Sequence, residues 1–253
     1  MEIKKHILMI GAGLFLFVST LSAQVDAYRK IVYQSYLGTN MGNWKGVIDL
    51  LEARPGKPDS VLLELANYEY GYVAWCIGTQ NTDEAYRYLD LLEKNLKRLK
   101  KNNFQLSFVS AYLSAVYGYK IGLSPIKAPF YGPKSVNYSR LSMKQDSTNP
   151  FGYIQYANAL YYRPVIFGGS KTEALYYYLK AEKMMHRNRE KYINENWNYL
   201  SLLTSIAQAY EETAQYEKAN SAYKLILTIA PDFDWVKNKI YPEFLKNRMN
   251  DEQ

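Results

Sequence analysis

Apolar residues recur along this chain at helical spacing, three or four apart, in stretches separated by short polar or proline-containing breaks. In "LLTSIAQAYEETAQYEKANSAYKLILTIAPDF", Ile206, Ala207 and Tyr210 share one helical face. Ala219, Tyr223 and Ile226 share a face of a second helix, which Pro231 ends. The pattern predicts two amphipathic helices joined by a short turn. The stretch "FGYIQYANALYY", Phe151 to Tyr162, predicts another helix with small residues at Ala157 and Ala159. Towards the end an apolar stripe at Trp235, Ile240 and Phe244 predicts a last helix at about 233–249. Two breaks are long: "GLSPIKAPFYGPKS", with Pro125, Pro129 and Pro133, and "RPVIFGGS". Proline lacks the amide donor and pushes its predecessor out of the helical region, so both read as loops.

The second-helix pattern of that pair, a small residue followed by apolar or small residues four and seven later, returns upstream. It is anchored at Ala174 (with Tyr178 and Ala181), Ala85 (Leu89, Leu92), Gly46 (Leu50, Ala53) and Ser135 (Ser139, Ser142). First-helix companions appear at Leu113-Ser114-Tyr117 and Tyr156-Ala157-Leu160, with Tyr70-Gly71-Ala74 a poorer match. Over about residues 27 to 232 this resembles the tetratricopeptide repeat family, although its units are longer than that family's 34 residues. The resemblance implies an all-α fold: an α-solenoid of about five helical hairpins whose neighbours share one core, closed by a C-terminal capping helix.

The first residues change the picture of where such an array works. "MEIKKHILMIGAGLFLFVSTLSAQ" has a basic start, an apolar core and small residues before a cut between Ala23 and Gln24. It reads as a signal peptide over 1–23, leaving one helical-repeat domain at 24–253 and no integral membrane segment after processing. The expected product is an exported bacterial tetratricopeptide-repeat protein, periplasmic or secreted, with peripheral membrane association open. Removing Glu2, Lys4 and Lys5 lowers the formal charge from +7 to +6. That charge reads as dispersed except at "EKNLKRLKKNN", where basic residues crowd a helix end and are favoured by the macrodipole. Nucleic acid is therefore not an expected partner.

Candidate chemistry is sparse. Past the leader there is one cysteine, Cys76, and one histidine, His186, which excludes an intrachain disulfide and leaves a zinc cluster without ligands. No metal, cofactor or catalytic residue is expected. The run Gly168-Gly169-Ser170-Lys171-Thr172 fails as a nucleotide-binding loop, since a Walker lysine at Lys171 would need glycines where Val165 and Ser170 stand. It reads instead as a turn, with Ser170 and Glu173 forming an S-x-x-E capping box and Asn81 and Glu84 a similar pair. The carboxylate pairs Asp83-Glu84 and Glu211-Glu212 are adjacent on helices, point about 100° apart, and suit solvated helix faces better than acid–base catalysis.

The resemblance also implies where a ligand would lie, because first helices line a concave groove in such arrays. It places Asn158, Tyr161, Tyr162, Gln208, Glu211, Glu212, Tyr119, Tyr72 and Trp75 there, with Arg163 next to the tyrosine pair. Tyr161-Tyr162-Arg163 and Tyr176-Tyr177-Tyr178 each hold three consecutive large residues, which cannot all face one core. The expected function is a non-catalytic scaffold binding a protein or peptide through this tyrosine-rich groove and the long loops. A small-solute-binding accessory of a transport system is the alternative, and an enzyme a distant third.

Overall fold

The computed structural model describes residues 24–251, so the leader and its cut after Ala23 lie outside the described residues. Helix α1 occupies residues 24–37 and is followed by α2 (Met41–Ala53), α3 (Asp59–Gly78), α4 (Thr82–Lys101) and α5 (Leu106–Leu123). After a 3-10 turn (Pro125–Lys127) come α6 (Ala128–Gln145) and α7 (Pro150–Tyr162). A second 3-10 turn (Val165–Phe167) leads to α8 (Lys171–Arg187), the single turn α9 (Arg189–Tyr192), α10 (Trp197–Glu212) and α11 (Tyr216–Ile229). A π-helical turn (Val236–Ile240) runs into the terminal α12 (Tyr241–Asp251). No strand occurs among the described residues. The hairpins are α1/α2, α3/α4, α5/α6, α7/α8 and α10/α11, with Phe233, Val236 and Phe244 buried under the C-terminal segment.

Small residues do sit where paired helices cross. Ala85, Ala174 and Ala219 are fully buried. In α5/α6 the backbones come close enough for hydroxyls to bond the opposite chain: Ser114 Oγ donates to the Ser135 carbonyl at 2.7 Å and Ser107 Oγ to the Ser142 carbonyl at 3.0 Å. Such bonds satisfy buried hydroxyls that would otherwise cost stability.

The first hairpin departs from the expected register. Gly46 is half-buried and Leu50 is exposed, whereas Met41, Trp44, Val47, Ile48 and Leu51 form the buried face of α2. The anchor is a tryptophan, and its small counterpart is on the neighbouring helix: a Cβ at Gly71 would lie 2.6 Å from Trp44 Cζ2 and 2.6 Å from Trp197 Cη2. Ala74, expected on the same face as Gly71, is exposed. The proline-rich break is also largely helix. Pro129 stands in the first turn of α6, where its missing amide costs nothing, and Pro133 is carried inside the helix.

The array curls until its ends meet. Tyr36 of α1 lies 4.9 Å (ring centroids) from Phe233, beyond α11, and 5.8 Å from Trp197 at the start of α10. Trp197 also packs edge-on to Trp44 at 4.9 Å and against Tyr70 of α3 at 5.9 Å. Tyr70 stacks on Tyr119 of α5 and accepts a hydrogen bond from Gln155 Nε2 of α7 at 3.0 Å. The inner side of all five hairpins therefore converges on one aromatic cluster. This accounts for much of the tyrosine content, because tyrosine offers a broad apolar ring while its hydroxyl keeps a polar partner.

Candidate functional site

Beyond that closed cluster, α7, α10, α11 and α12 leave a cleft of about 180 Å³. Tyr161, Gln208, Glu211 and Glu212 line it together with Tyr223, Ile240, Glu243, Phe244 and Asn247. Four positions named from sequence thus come together here. The remaining lining comes from the second helix of the last hairpin and from the C-terminal segment, which sequence reasoning treated only as a cap. The π-helical turn ending at Ile240 delivers that residue to the cleft.

The chemistry of the cleft is aromatic and anionic. Tyr223 Oη donates to Glu211 Oε2 at 3.2 Å. Partial burial raises the Glu211 carboxyl above the usual carboxylate range, opposed by that hydrogen bond and assisted by the charges of Glu212 and Glu243. At the rim, Lys171 from the start of α8 holds its ammonium 3.4 Å from the centroid of Tyr161 and 3.8 Å from Glu212 Oε2. A cation on a ring face beside a carboxylate is attracted by both, the ring contributing about 0.5–2 kcal/mol depending on desolvation. The surfaces that line the cleft therefore already stabilise one ammonium. Among the described residues no group of three or more His, Cys, Asp or Glu is placed to hold a metal ion.

The turn before α8 is built as a turn. Ser170 Oγ accepts from the Glu173 amide at 3.1 Å. The Ser170 amide goes to the Leu160 carbonyl at 3.1 Å, so the capping box is made in its first half only. Gly168 has φ +84°, and a Cβ at Gly169 would lie 1.8 Å from the Arg163 carbonyl oxygen, so both glycines are required by geometry. Asn81 makes no capping bond; its side-chain amide donates to Glu84 Oε2, and Glu84 is drawn away by Lys45 at 2.8 Å.

The other groove candidates are dispersed. Tyr162 is 76% exposed while its neighbour Tyr161 is half-buried. The Tyr162 ring meets that of Tyr161 edge-on, with centroids 5.0 Å apart. Arg163 follows α7 as its C-cap, with its carbonyl packed closely against Gly169. Asn158 accepts from the buried Tyr178 hydroxyl at 2.6 Å, and Tyr119 Oη donates to the Tyr70 carbonyl at 3.1 Å. Tyr72 is not a groove residue. It is buried between α3 and α4, where its ring meets Tyr88 edge-on at 4.8 Å, its hydroxyl donates to Glu84, and half-buried Trp75 stacks on it. The poor second-hairpin match displaced this register.

Comparison with known proteins agrees with the architecture. No protein-family model matches, and no curated protein matches. Among solved structures, a thermophilic tetratricopeptide repeat protein from Thermus thermophilus superposes with a TM-score of 0.55 at 14% identity, covering 87% of this chain and 98% of that one. The fold is tetratricopeptide-repeat-like. The HusA haemophore from Porphyromonas gingivalis superposes with a TM-score of 0.59 at 19% identity, over 74% of this chain and 93% of that one. At these identities the likeness concerns the fold. Among the described residues no helix is long and apolar enough to cross a membrane.

Proposed function

We propose that the chain is a non-catalytic binding scaffold, working outside the cytoplasm, that takes a protein or peptide segment over the cleft of Tyr161, Glu211 and Glu212, with a basic side chain seated in it. The observation that carries this reading is the Lys171 ammonium held between the Tyr161 ring and Glu212, at 3.4 Å and 3.8 Å, at the rim of a cleft with two further carboxylates. Size favours a side chain over a whole metabolite. At about 180 Å³ the cleft falls below the roughly 300–1,000 Å³ of drug-sized ligand pockets. Arginine and lysine suit it equally in charge, and the planar arginine fork can also engage a carboxylate in bidentate fashion. Fluorescence anisotropy with a labelled lysine-containing peptide and its norleucine counterpart tests the reading. Binding should require the charged peptide and be lost in the Glu211→Gln/Glu212→Gln double variant; equal affinity for both peptides would sink it.

A second reading is favoured by the haemophore likeness together with Tyr162. Here a flat apolar ligand such as a porphyrin lies on the exposed ring of Tyr162. A haem titration followed by absorbance separates the two. Saturable binding that survives the double glutamine variant and is lost in Tyr162→Ala would favour this second reading.

A further inference from the structure

The two 3-10 turns form a feature that neither reading uses. Pro125–Lys127 links α5 to α6 and Val165–Phe167 links α7 to α8, so they are equivalent connections in consecutive hairpins. They also lie at the same level. Phe151, at the start of α7, meets Phe108 and Tyr112 of α5 with ring centroids 5.6 Å from each. Counting an equal rise along both helices brings Tyr162 level with the end of α5 at Tyr119 to Leu123. At this shared edge Ile126, Phe130, Val165, Ile166 and Phe167 are between 69% and 85% exposed. Single exposed apolar residues are ordinary; five on adjacent turns are not.

Part of the chain's basic charge lies at the same place: Lys120, Lys127, Lys134 and Arg163 stand on or beside the two turns, whereas Arg98, Lys100 and Lys101 end α4 beside the start of α5 and Lys144 ends α6 there. Residues 94–172 hold twelve lysines and arginines and one acid, Asp146, a net of +11 within a chain of +7, so the charge is concentrated rather than dispersed. Carboxylates neutralise little of it. Lys134 lies 5.5 Å from the Tyr117 ring and 5.7 Å from Tyr131, Lys100 lies over Tyr138, and Arg140 over Tyr156. Lys120 shares the same two rings and is the one of these paired with an acid, Glu93 at 2.6 Å. A ring face holds a cation without cancelling its charge.

We propose that this edge docks on an anionic lipid bilayer, with Ile126, Phe130, Val165, Ile166 and Phe167 entering the headgroup–acyl boundary and Lys127, Lys134 and Arg163 facing the lipid phosphates. Two features select a bilayer. The apolar side chains are more than two-thirds exposed and do not line the carboxylate cleft, and a fluid interface accepts such groups where a protein or small ligand would have to supply or enter a matching cavity. The flanking cations match an anionic surface, each contributing about fivefold to partition at about 1 kcal/mol per basic residue. The surface is separate from the carboxylate cleft, so its failure leaves the proposed function standing.

The test is flotation of the full chain on vesicles of phosphatidylcholine alone or mixed with phosphatidylglycerol. It uses the parent, an Ile126→Ser/Phe130→Ser/Ile166→Ser/Phe167→Ser variant and a Lys127→Gln/Lys134→Gln variant, all with the same N-terminus so that residues 1–23 contribute equally. Expected is binding to the mixed vesicles that falls with salt, at least tenfold weaker for the serine variant and about twenty-five-fold weaker for the glutamine variant, with unchanged melting temperatures. Depth is read independently with a fluorophore on Ile166→Cys, since native Cys76 is fully buried. Quenching by bilayer-embedded nitroxide lipid is expected. Equal flotation of parent and variants, binding indifferent to phosphatidylglycerol, or a label that stays unquenched on floated protein would each overturn the proposal. So would a label buried by an acidic peptide and untouched by vesicles, which would make the edge a protein-docking surface.

Discussion

Substituting Gly71 by alanine probes the way the array closes on itself. A Cβ there would meet Trp197 Cη2 at 2.6 Å, Trp44 Cζ2 at 2.6 Å and Trp197 Cζ2 at 2.9 Å, distances that real Cβ contacts essentially never reach. Neither indole has room to yield. Trp44 is fully buried and its Nε1 donates to the Tyr68 carbonyl at 3.0 Å, while Trp197 is wedged among Tyr36, Trp44 and Tyr70. Overpacking of one methyl typically costs about 1–3 kcal/mol, and two rigid rings put this site near the top of that range. Alanine regains about 1 kcal/mol of helix propensity, leaving a net loss of about 1–2 kcal/mol. For a chain of this size that lowers the melting temperature by about 2–8 °C. Gly118, in the middle of α5, is the control: a Cβ there meets nothing within 4 Å, so Gly118→Ala should raise stability by up to about 1 kcal/mol. Thermal unfolding by circular dichroism reads both variants. If Gly71→Ala stabilises the chain as Gly118→Ala does, the indoles do not converge on Gly71 and the closure of the array is wrong.

Three other outcomes follow from single sites. Glu69 is fully buried, with Oε1 accepting from Asn95 Nδ2 at 2.9 Å and the Glu52 carboxylate sharing the same amide. Burial raises its carboxyl well above the usual range, with Glu52 adding to the rise and Asn95 and Lys57 opposing it. The native state thus holds a proton that the unfolded chain releases, and stability is lost as pH rises through the folded-state value. Glu69→Gln should flatten that loss in urea unfolding above the normal glutamate range, and an unchanged pH slope would refute the assignment. Ser170→Ala removes the N-cap of α8 and should cost about 1 kcal/mol in the same assay, whereas Thr172→Ala, one turn position on, should cost far less. Lys171→Met frees the Tyr161 ring and Glu212 and should tighten binding of a lysine-containing peptide several-fold; weaker binding would mean that Lys171 belongs to the recognition surface instead of competing for it.

Much of the architecture was legible because helix periodicity and small crossing residues are local signals. Ala85, Ala174 and Ala219 sit in sequence as they sit in space. The first hairpin was misread by two positions because its anchor is large: Trp44 is accommodated by Gly71 on the next hairpin, and no pattern confined to one helix shows a pairing between two. Pro129 and Pro133 suggested a loop, yet proline is harmless in a helix's first turn, and the packing of Ser135, Ser139 and Ser142 against α5 holds the rest of α6. At the candidate site, Tyr161, Gln208, Glu211 and Glu212 follow from their place on first helices. Tyr223, Ile240 and Phe244 reach the cleft through the fold of the C-terminal segment, for which periodicity offered only a cap. Tyr72 misled because a tyrosine on a first helix fits a groove and a core equally well until its neighbours are known.

The central claim is that the cleft receives a basic side chain of a partner, and in-cell photo-crosslinking from its rim tests it most directly. A photoreactive phenylalanine replaces Gln208 in the native host, with Tyr86, exposed on α4, as the comparison position. The account predicts crosslinks specific to position 208 whose partner peptides carry a lysine or arginine at or beside the crosslinked residue. Crosslinks no stronger than those from position 86, or partner segments without a basic residue, would contradict it.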